Sequence, residues 1–262
     1  MSISGSPPQA FLYLWDDRFL WVSRSFRGAL TRRYATSLIV AIESKPLILK
    51  LPGEDAKPVL AAVCASGAKR GVTAVDTPFL GLNFDPGTTE AVWLESLIAP
   101  ALVQEVSRAS LSFCDPEMAA MLDGRLDGTQ ARALSDHLMQ ALIGQALPEV
   151  KIDPRVRYIA DHLRATLPAV LQVEPLAQQV SLSPTRLMHL FSDQIGLSMS
   201  SFLLWQKMRR AVSIIQSGLP LTEIAHACGF SDSSHMTRTF QAFYAVRPSA
   251  LADPNFVQVR IV

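Results

Sequence analysis

Leu176-Ala-Gln-Gln-Val-Ser-Leu-Ser183 and Ile224-Ala-His-Ala-Cys-Gly-Phe-Ser231 align position for position at an offset of 48 residues. After one inserted residue the register resumes, with Leu187-Met-His-Leu-Phe191 against Met236-Thr-Arg-Thr-Phe240. Self-similarity of this kind marks a duplicated supersecondary unit. Each copy predicts a short helix, a tight turn and a second helix.

Local chemistry supports that reading in both copies. In the first, Pro175 fits an early helical position, where its missing N–H is harmless. Leu176, Ala177 and Val180 then form one apolar stripe. Ser183 suits an N-cap and Pro184 the first residue of the next helix. Leu187, Leu190 and Phe191 turn that helix's inner face to the core. In the second copy Pro220 and Thr222 open the helix, with Ile224, Ala225 and Cys228 as its stripe. Gly229 falls where a turn needs positive φ, which glycine adopts without a Cβ clash. Ser231 is the expected cap of the last helix, whose inward residues are Met236, Thr239 and Phe240.

A helix-turn-helix lays its second helix in the DNA major groove. The outward face of the first such helix carries Thr185, His189 and Ser192, flanked by Arg186 and Met188. The second presents Ser234, Arg238 and Gln241, flanked by Ser233, His235 and Thr237. These hydroxyl, amide and basic groups suit base edges and phosphates, although any helix also has a polar solvent face. Between the copies, Leu204, Met208, Ala211 and Ile215 predict an amphipathic helix over Ser200–Gly218. About 18 residues span roughly 27 Å, enough to hold two reading helices about one DNA turn apart. Lys207, Arg209 and Arg210 on it are candidate phosphate contacts.

GFSDSSHMTRTFQAFYAVRPS (Gly229–Ser249) resembles the signature of the AraC/XylS family, and LSPTRLMHLFSDQIGLSMSSFLLWQKMRRA (Leu182–Ala211) resembles its first motif and linking helix. The resemblance covers residues 152–251. It implies a seven-helix domain whose two reading helices enter adjacent major grooves. Carried over by position, the base-facing residues are Thr185, Met188 and His189, then Ser233, Ser234 and Arg238. Three positions depart from the pattern. His189 stands where Arg is usual, Tyr244-Ala245 replaces an aromatic-Gly pair, and Arg247-Pro248 replaces Thr-Pro. Met188 offers only apolar contact, such as to a thymine methyl. Arg238 is therefore expected to carry most of the discrimination.

The 262 residues hold 24 Lys/Arg and 23 Asp/Glu, unevenly placed. Residues 1–150 carry 13 basic against 16 acidic side chains, and residues 151–262 carry 11 against 7. An anionic partner for the C-terminal half is consistent with that asymmetry. No apolar run reaches the length of a membrane span, and MSISGSPPQA lacks a signal-peptide pattern, so a cytoplasmic location without membrane association is expected. Cys64, Cys114 and Cys228 are scattered and odd in number, which reads as core thiols.

The N-terminal half alternates short β-rich runs with turn residues: Phe11–Trp15, Phe19–Ser23, Ser37–Ile42, Pro46–Leu51, Val59–Ala65, Gly71–Val75 and Phe79–Phe84. This spacing predicts a small sandwich or barrel, and the family resemblance implies a cupin-like barrel over about residues 10–85. The five histidines (His137, His162, His189, His226, His235) all lie outside that region, so no metal is expected, and Glu43, Glu54, Asp55 and Asp76 lack a ligand spacing. Trp15, Trp21, Phe26, Tyr34 and Phe79 supply aromatic surface for core or for an effector pocket.

Helical spacing follows at Glu90–Ile98, Ala101–Ser110, Pro116–Leu122 and Thr129–Gln145. In the last, Leu134, Leu138, Ala141 and Leu142 with Ala133 and His137 form one broad stripe. It reads equally as inward packing or, through the family's habit of dimerising by such helices, as an interface.

The expected protein is thus of α+β class. Residues 1–147 form a regulatory and dimerisation domain, its helices spanning about 88–147. Residues 148–154 are a linker and 155–262 a DNA-binding domain. The expected function is a sequence-specific transcription regulator, in the sense of an activator, and not an enzyme. Expected partners are promoter DNA, RNA polymerase, a small-molecule effector and a second copy of the chain, with no cofactor. Ser231, Asp232 and His235 are close enough in sequence to tempt a catalytic-triad reading, but Ser and Asp there are better explained as caps.

Overall fold

The computed structural model describes residues 8–143, 151–244 and 246–262. The N-terminal half is built from strands β1 (Ala10–Leu14), β2 (Arg18–Ser23), β3 (Phe26–Arg27), β4 (Thr31–Arg32), β5 (Thr36–Ala41), β6 (Leu47–Lys50), β7 (Lys57–Val59), β8 (Ala61–Cys64), β9 (Lys69–Ala74) and β10 (Phe79–Phe84). Helix α1 (Thr89–Ile98), strand β11 (Val103–Glu105), a 3-10 turn (Ala109–Cys114), α2 (Asp115–Leu122) and α3 (Gly128–Ile143) complete it.

The strands form two open sheets. The larger has the order β11-β8-β5-β10-β2-β1-β12, where β12 is Val257–Ile261 near the C-terminus, and the smaller runs β3-β9-β6-β7 with β4 on β9. The closed cupin-like barrel expected from the sequence is therefore not formed among the described residues. The reason lies in how the large sheet's two faces are covered. On one face Tyr13, Leu20, Leu38, Leu80 and Leu82 pack against α1, α2 and α3. On the other, Ile39, Ala41, Ala62 and Phe79 meet Leu47, Leu49 and Val72 of the small sheet. Ala10, Leu12, Leu14 and Phe19 on that same face meet the C-terminal helices. Central strands covered on both sides need no closure to bury their apolar residues, and they read as unbroken apolar runs.

The segment expected as helix over Ala101–Ser110 instead supplies β11, paired antiparallel with β8, and the start of the 3-10 turn. Edge pairing, a tertiary event, overrides local propensity there. β12 was not anticipated, although Val257-Gln-Val-Arg-Ile261 alternates as a strand should. It pairs in parallel with β1 and so returns the C-terminus to the N-terminal sheet.

The C-terminal helices are α4 (Pro154–Thr166), α5 (Val173–Gln179), α6 (Pro184–Ile195), α7 (Met199–Ile214), α8 (Leu221–Ala227), α9 (Ser233–Tyr244) and α10 (Pro248–Leu251). They divide into two cores. Val156, Ile159 and Leu163 of α4 pack with Leu176, Leu187, Phe191 and the start of α7 at Met199 and Phe202. Trp205, Met208, Ala211 and Val212 of α7 pack with Ile224, Ala225, Met236, Phe240 and the N-terminal strands. One helix thus belongs to both cores. At 16 residues, it spans roughly 24 Å.

The stripe on α3 packs inward. Leu134 and Leu138 are fully buried beneath the large sheet, and Ala141 and Leu142 lie half-buried against the same core. Leu134 and Leu138 are therefore spent on the fold and are not interface residues. Gly144 and Gln145 at the end of the expected helix, and residues 148–150 of the expected linker, lie outside the described residues.

Candidate nucleic-acid interface

The two reading units are built alike. The turn between α5 and α6 passes through Ser181 at φ 54°, and its counterpart between α8 and α9 through Gly229 at φ 73°. Both sit in the left-handed region, so the repeat holds in the backbone as well as the sequence. A Cβ at Gly229 would lie 2.9 Å from the Leu167 carbonyl oxygen, which adds a steric reason for glycine to the conformational one.

The caps differ. Ser183 accepts from Arg186 N at 3.3 Å and opens α6, with Pro184 following. At α9 the cap is Asp232, whose Oδ1 accepts from His235 N at 2.6 Å, rather than the expected Ser231. Ser231 Oγ instead donates to Asp232 Oδ2 at 3.0 Å and lies 3.2 Å from His235 Nδ1. The His235 N–H and the Ser231 hydroxyl hold the Asp232 carboxyl below its ordinary range. A catalytic triad needs the carboxylate on the imidazole and the hydroxyl on the other ring nitrogen; here the carboxylate serves the helix end.

Thr185, Arg186, Met188 and His189 are exposed along α6, and Ser234, Arg238 and Gln241 along α9. Ser192, Ser233 and His235 are half-buried. The Ser192 hydroxyl donates back to the Met188 and His189 carbonyls, at 3.0 and 3.1 Å. The His235 ring stands edge-on to Phe230. These last two side chains are thus partly engaged within the protein.

The linking helix corrects two assignments. Lys207 is buried and donates to the carbonyls of Ala169 (3.2 Å) and Gly229 (2.8 Å). It ties the loop before α5 to the turn before α9. Arg209 is buried too, pairing with Asp85 at 2.8 Å and donating to the Trp15 carbonyl. Neither is a phosphate contact, because a guanidinium or ammonium held inside cannot reach a backbone outside. Only Arg210 of the three is exposed. The amphipathic pattern could not separate them, since the partners lie far off in sequence.

An apolar cavity of about 110 Å³ lies between the sheets and α7 and the inner side of α9. Trp21, Phe26, Tyr34 and Phe79 line it, as does Trp205 from α7. Trp15, proposed with them from the sequence, stacks on Tyr13 within the core under the helices.

Residues 176–253 match the profile of a helix-turn-helix domain. The C-terminal part of the chain is thus similar to a helix-turn-helix domain. The arabinose operon regulatory protein of Salmonella typhimurium is 28% identical over 137 residues, 48% of each chain. The transcriptional activator RhaR of Pectobacterium carotovorum is 27% identical over 104 residues, covering 39% of this chain and 37% of RhaR. The chain thus spans about half the length or less of these curated relatives. The likeness extends further in three dimensions. ToxT from Vibrio cholerae superposes over 88% of this chain and 94% of its own at a TM-score of 0.55 and 9% identity. A ToxT structure with unsaturated fatty acid bound superposes at 0.54 and 8% identity. The chain therefore shares with ToxT the fold of an N-terminal sheet domain joined to a C-terminal helical domain.

Proposed function

We propose that the chain is a sequence-specific DNA-binding regulator of transcription, an activator in sense, that reads two adjacent major grooves with α6 and α9. The observation that carries this reading is the duplicated unit: two capped helices with exposed polar faces, joined through a helix shared by both cores. A rod buried along its length cannot swing, so the spacing of the two reading helices is set before DNA is met. Base contacts are assigned to Thr185, Met188 and His189 on α6 and to Ser233, Ser234 and Arg238 on α9, with Arg186, Ser192, His235 and Gln241 flanking them. Arg210 is assigned to a phosphate.

Residues 1–147 take the sensing role and 155–262 the DNA-binding role, with β12 anchoring the second to the first. The apolar cavity between them is the place for a small-molecule effector, as ToxT holds a fatty acid. RNA polymerase and a second copy of the chain are the proposed protein partners.

The test is selection of bound sequences from a random duplex library by the full-length protein at near-physiological salt. A bipartite site with half-motifs about ten base pairs apart is the expected result. A single enriched half-motif would withdraw α6 from sequence reading, and two such sites side by side would assign a dimer. A library with no enriched motif at any salt, with or without cell-extract small molecules, would overturn the proposal.

A further inference from the structure

Arg33 and Arg70 both line the cavity between the sheets and the C-terminal helices. Arg70 is 4% exposed. Its Nη2 donates to Ser37 Oγ at 2.7 Å, while its Nη1 has no partner among the described residues. Arg33 donates one nitrogen to the Phe243 carbonyl at 2.6 Å, in the last turn of α9. Neither is paired with a carboxylate among the described residues, and the charged group that Arg33 feels most is Arg70 itself. Burial, and then that neighbour, bring the Arg33 guanidinium down to about 9, which leaves it charged at neutral pH.

A buried and a half-buried guanidinium lining one cavity without an anion among the described residues are costly, since buried charges are normally paired. The rest of the cavity sharpens the point. The Trp21 indole N–H also lines it without a partner. Asn83 is already used, its oxygen accepting from Ser37 and its nitrogen donating to the Gly81 carbonyl. The unmet groups facing the cavity are thus donors, and the remaining walls are apolar. A sugar would bring hydroxyl donors with no acceptor to receive them. A carboxylate on an apolar body meets both conditions. At 110 Å³, the space holds roughly seven to ten water-sized groups, about the bulk of an eight-carbon acid.

Resting on the sensing role proposed above, we infer that the cavity binds a compact apolar monocarboxylate, its anion held between Arg33 and Arg70. The apolar body lies against Trp21, Phe79 and Trp205. Arg33 has donors enough to hold the ligand and keep the Phe243 carbonyl. The ligand therefore joins the small sheet to the end of the second reading helix.

The probes are octanoate, 1-octanol and hexadecanoate, titrated into the full chain at neutral pH and followed by calorimetry and tryptophan fluorescence. Octanoate is expected to bind saturably, and 1-octanol at least about ten-fold more weakly. Arg70→Met is expected to bring octanoate down to the level of the alcohol, and Arg70→Lys to restore part of the loss. Without ligand, Arg70→Met should unfold at the same temperature as the parent or higher, because it removes an unpaired buried charge; a purely structural arginine would lower it. Octanoate should also slow amide exchange in the last turn of α9. Equal binding of acid and alcohol, unaltered octanoate binding by Arg70→Met, or unchanged exchange in α9 would overturn the inference. Tighter binding of hexadecanoate would overturn the size assignment. If octanoate fails to bind a preparation that still selects its DNA site, the ligand class falls and the DNA-binding function stands.

Discussion

Arg209 and Asp85 form a buried ion pair that fastens the linking helix to the N-terminal sheet, with side chains 8% and 1% exposed. Removing either partner leaves the other inside, but the two leftovers differ chemically. In Asp85→Ala the orphan is a guanidinium, which stays charged at any practical pH. Breaking a buried pair this way costs about 3–5 kcal/mol, a fall in Tm of roughly 6–20 °C for a chain of this size. In Arg209→Met the orphan is a carboxyl that can take a proton. Burial already pushes the Asp85 carboxyl above its ordinary 3.8 against the pull of Arg209, and loss of Arg209 raises it further. Holding such a group neutral at pH 7 costs at most about 4 kcal/mol, and under about 2 kcal/mol at pH 5. A folded-state value above the unfolded one means stability fully present below 3.8 and lost as pH rises through the folded value. Thermal unfolding from pH 4.5 to 8 should therefore show Arg209→Met recovering toward the parent on acidification. Asp85→Ala should keep its deficit across the range. The double variant Asp85→Ala/Arg209→Met should be more stable than the sum of the singles predicts. A pH-independent deficit in Arg209→Met, or additive single and double effects, would refute the reasoning.

Arg238→Ala should weaken binding to a selected DNA site by about 1–3 kcal/mol and relax preference at one base position, measured by titration against site variants; unchanged preference would remove Arg238 from base reading. Arg210→Ala should lower the slope of log K against log salt by about 1, whereas Lys207→Ala should leave that slope unaltered while lowering Tm, since its ammonium serves two backbone carbonyls. The two turns give an opposed pair, read by chemical denaturation. Gly229→Ala should destabilise by more than about 1 kcal/mol through its positive φ and the Leu167 carbonyl, and Ser181→Gly should stabilise slightly by relieving the same conformation.

The helical C-terminal half was legible because its information is local. The repeat, the cap at Ser183, the glycine turn and the alternating faces of α6 and α9 lie within a few residues of one another, whereas the α9 cap is Asp232, one residue after the expected Ser231. Periodicity therefore shows which of their side chains face out. Helix and strand boundaries over most of residues 10–98 were legible for the same reason, since short apolar runs between turns need no partner to be recognised. Where the deciding partner is distant, sequence reading stopped. Leu134 and Leu138 make the same stripe whether it meets the chain's own sheet or a second copy. Val257–Ile261 alternates as a strand but does not say which strand it joins. Lys207, Arg209 and Arg210 are three adjacent or near-adjacent cations on one amphipathic helix, and only their neighbours sort them into a staple, an interdomain pair and a free charge. Arg33 and Arg70 were not singled out at all, because nothing beside either arginine in the sequence signals that it faces a cavity. What the order of residues determines by itself is each helix's face, cap and turn, since those depend on contacts a few residues apart. What the tertiary structure alone decides is which charges are buried and against what, because that depends on desolvation by segments that meet only after folding.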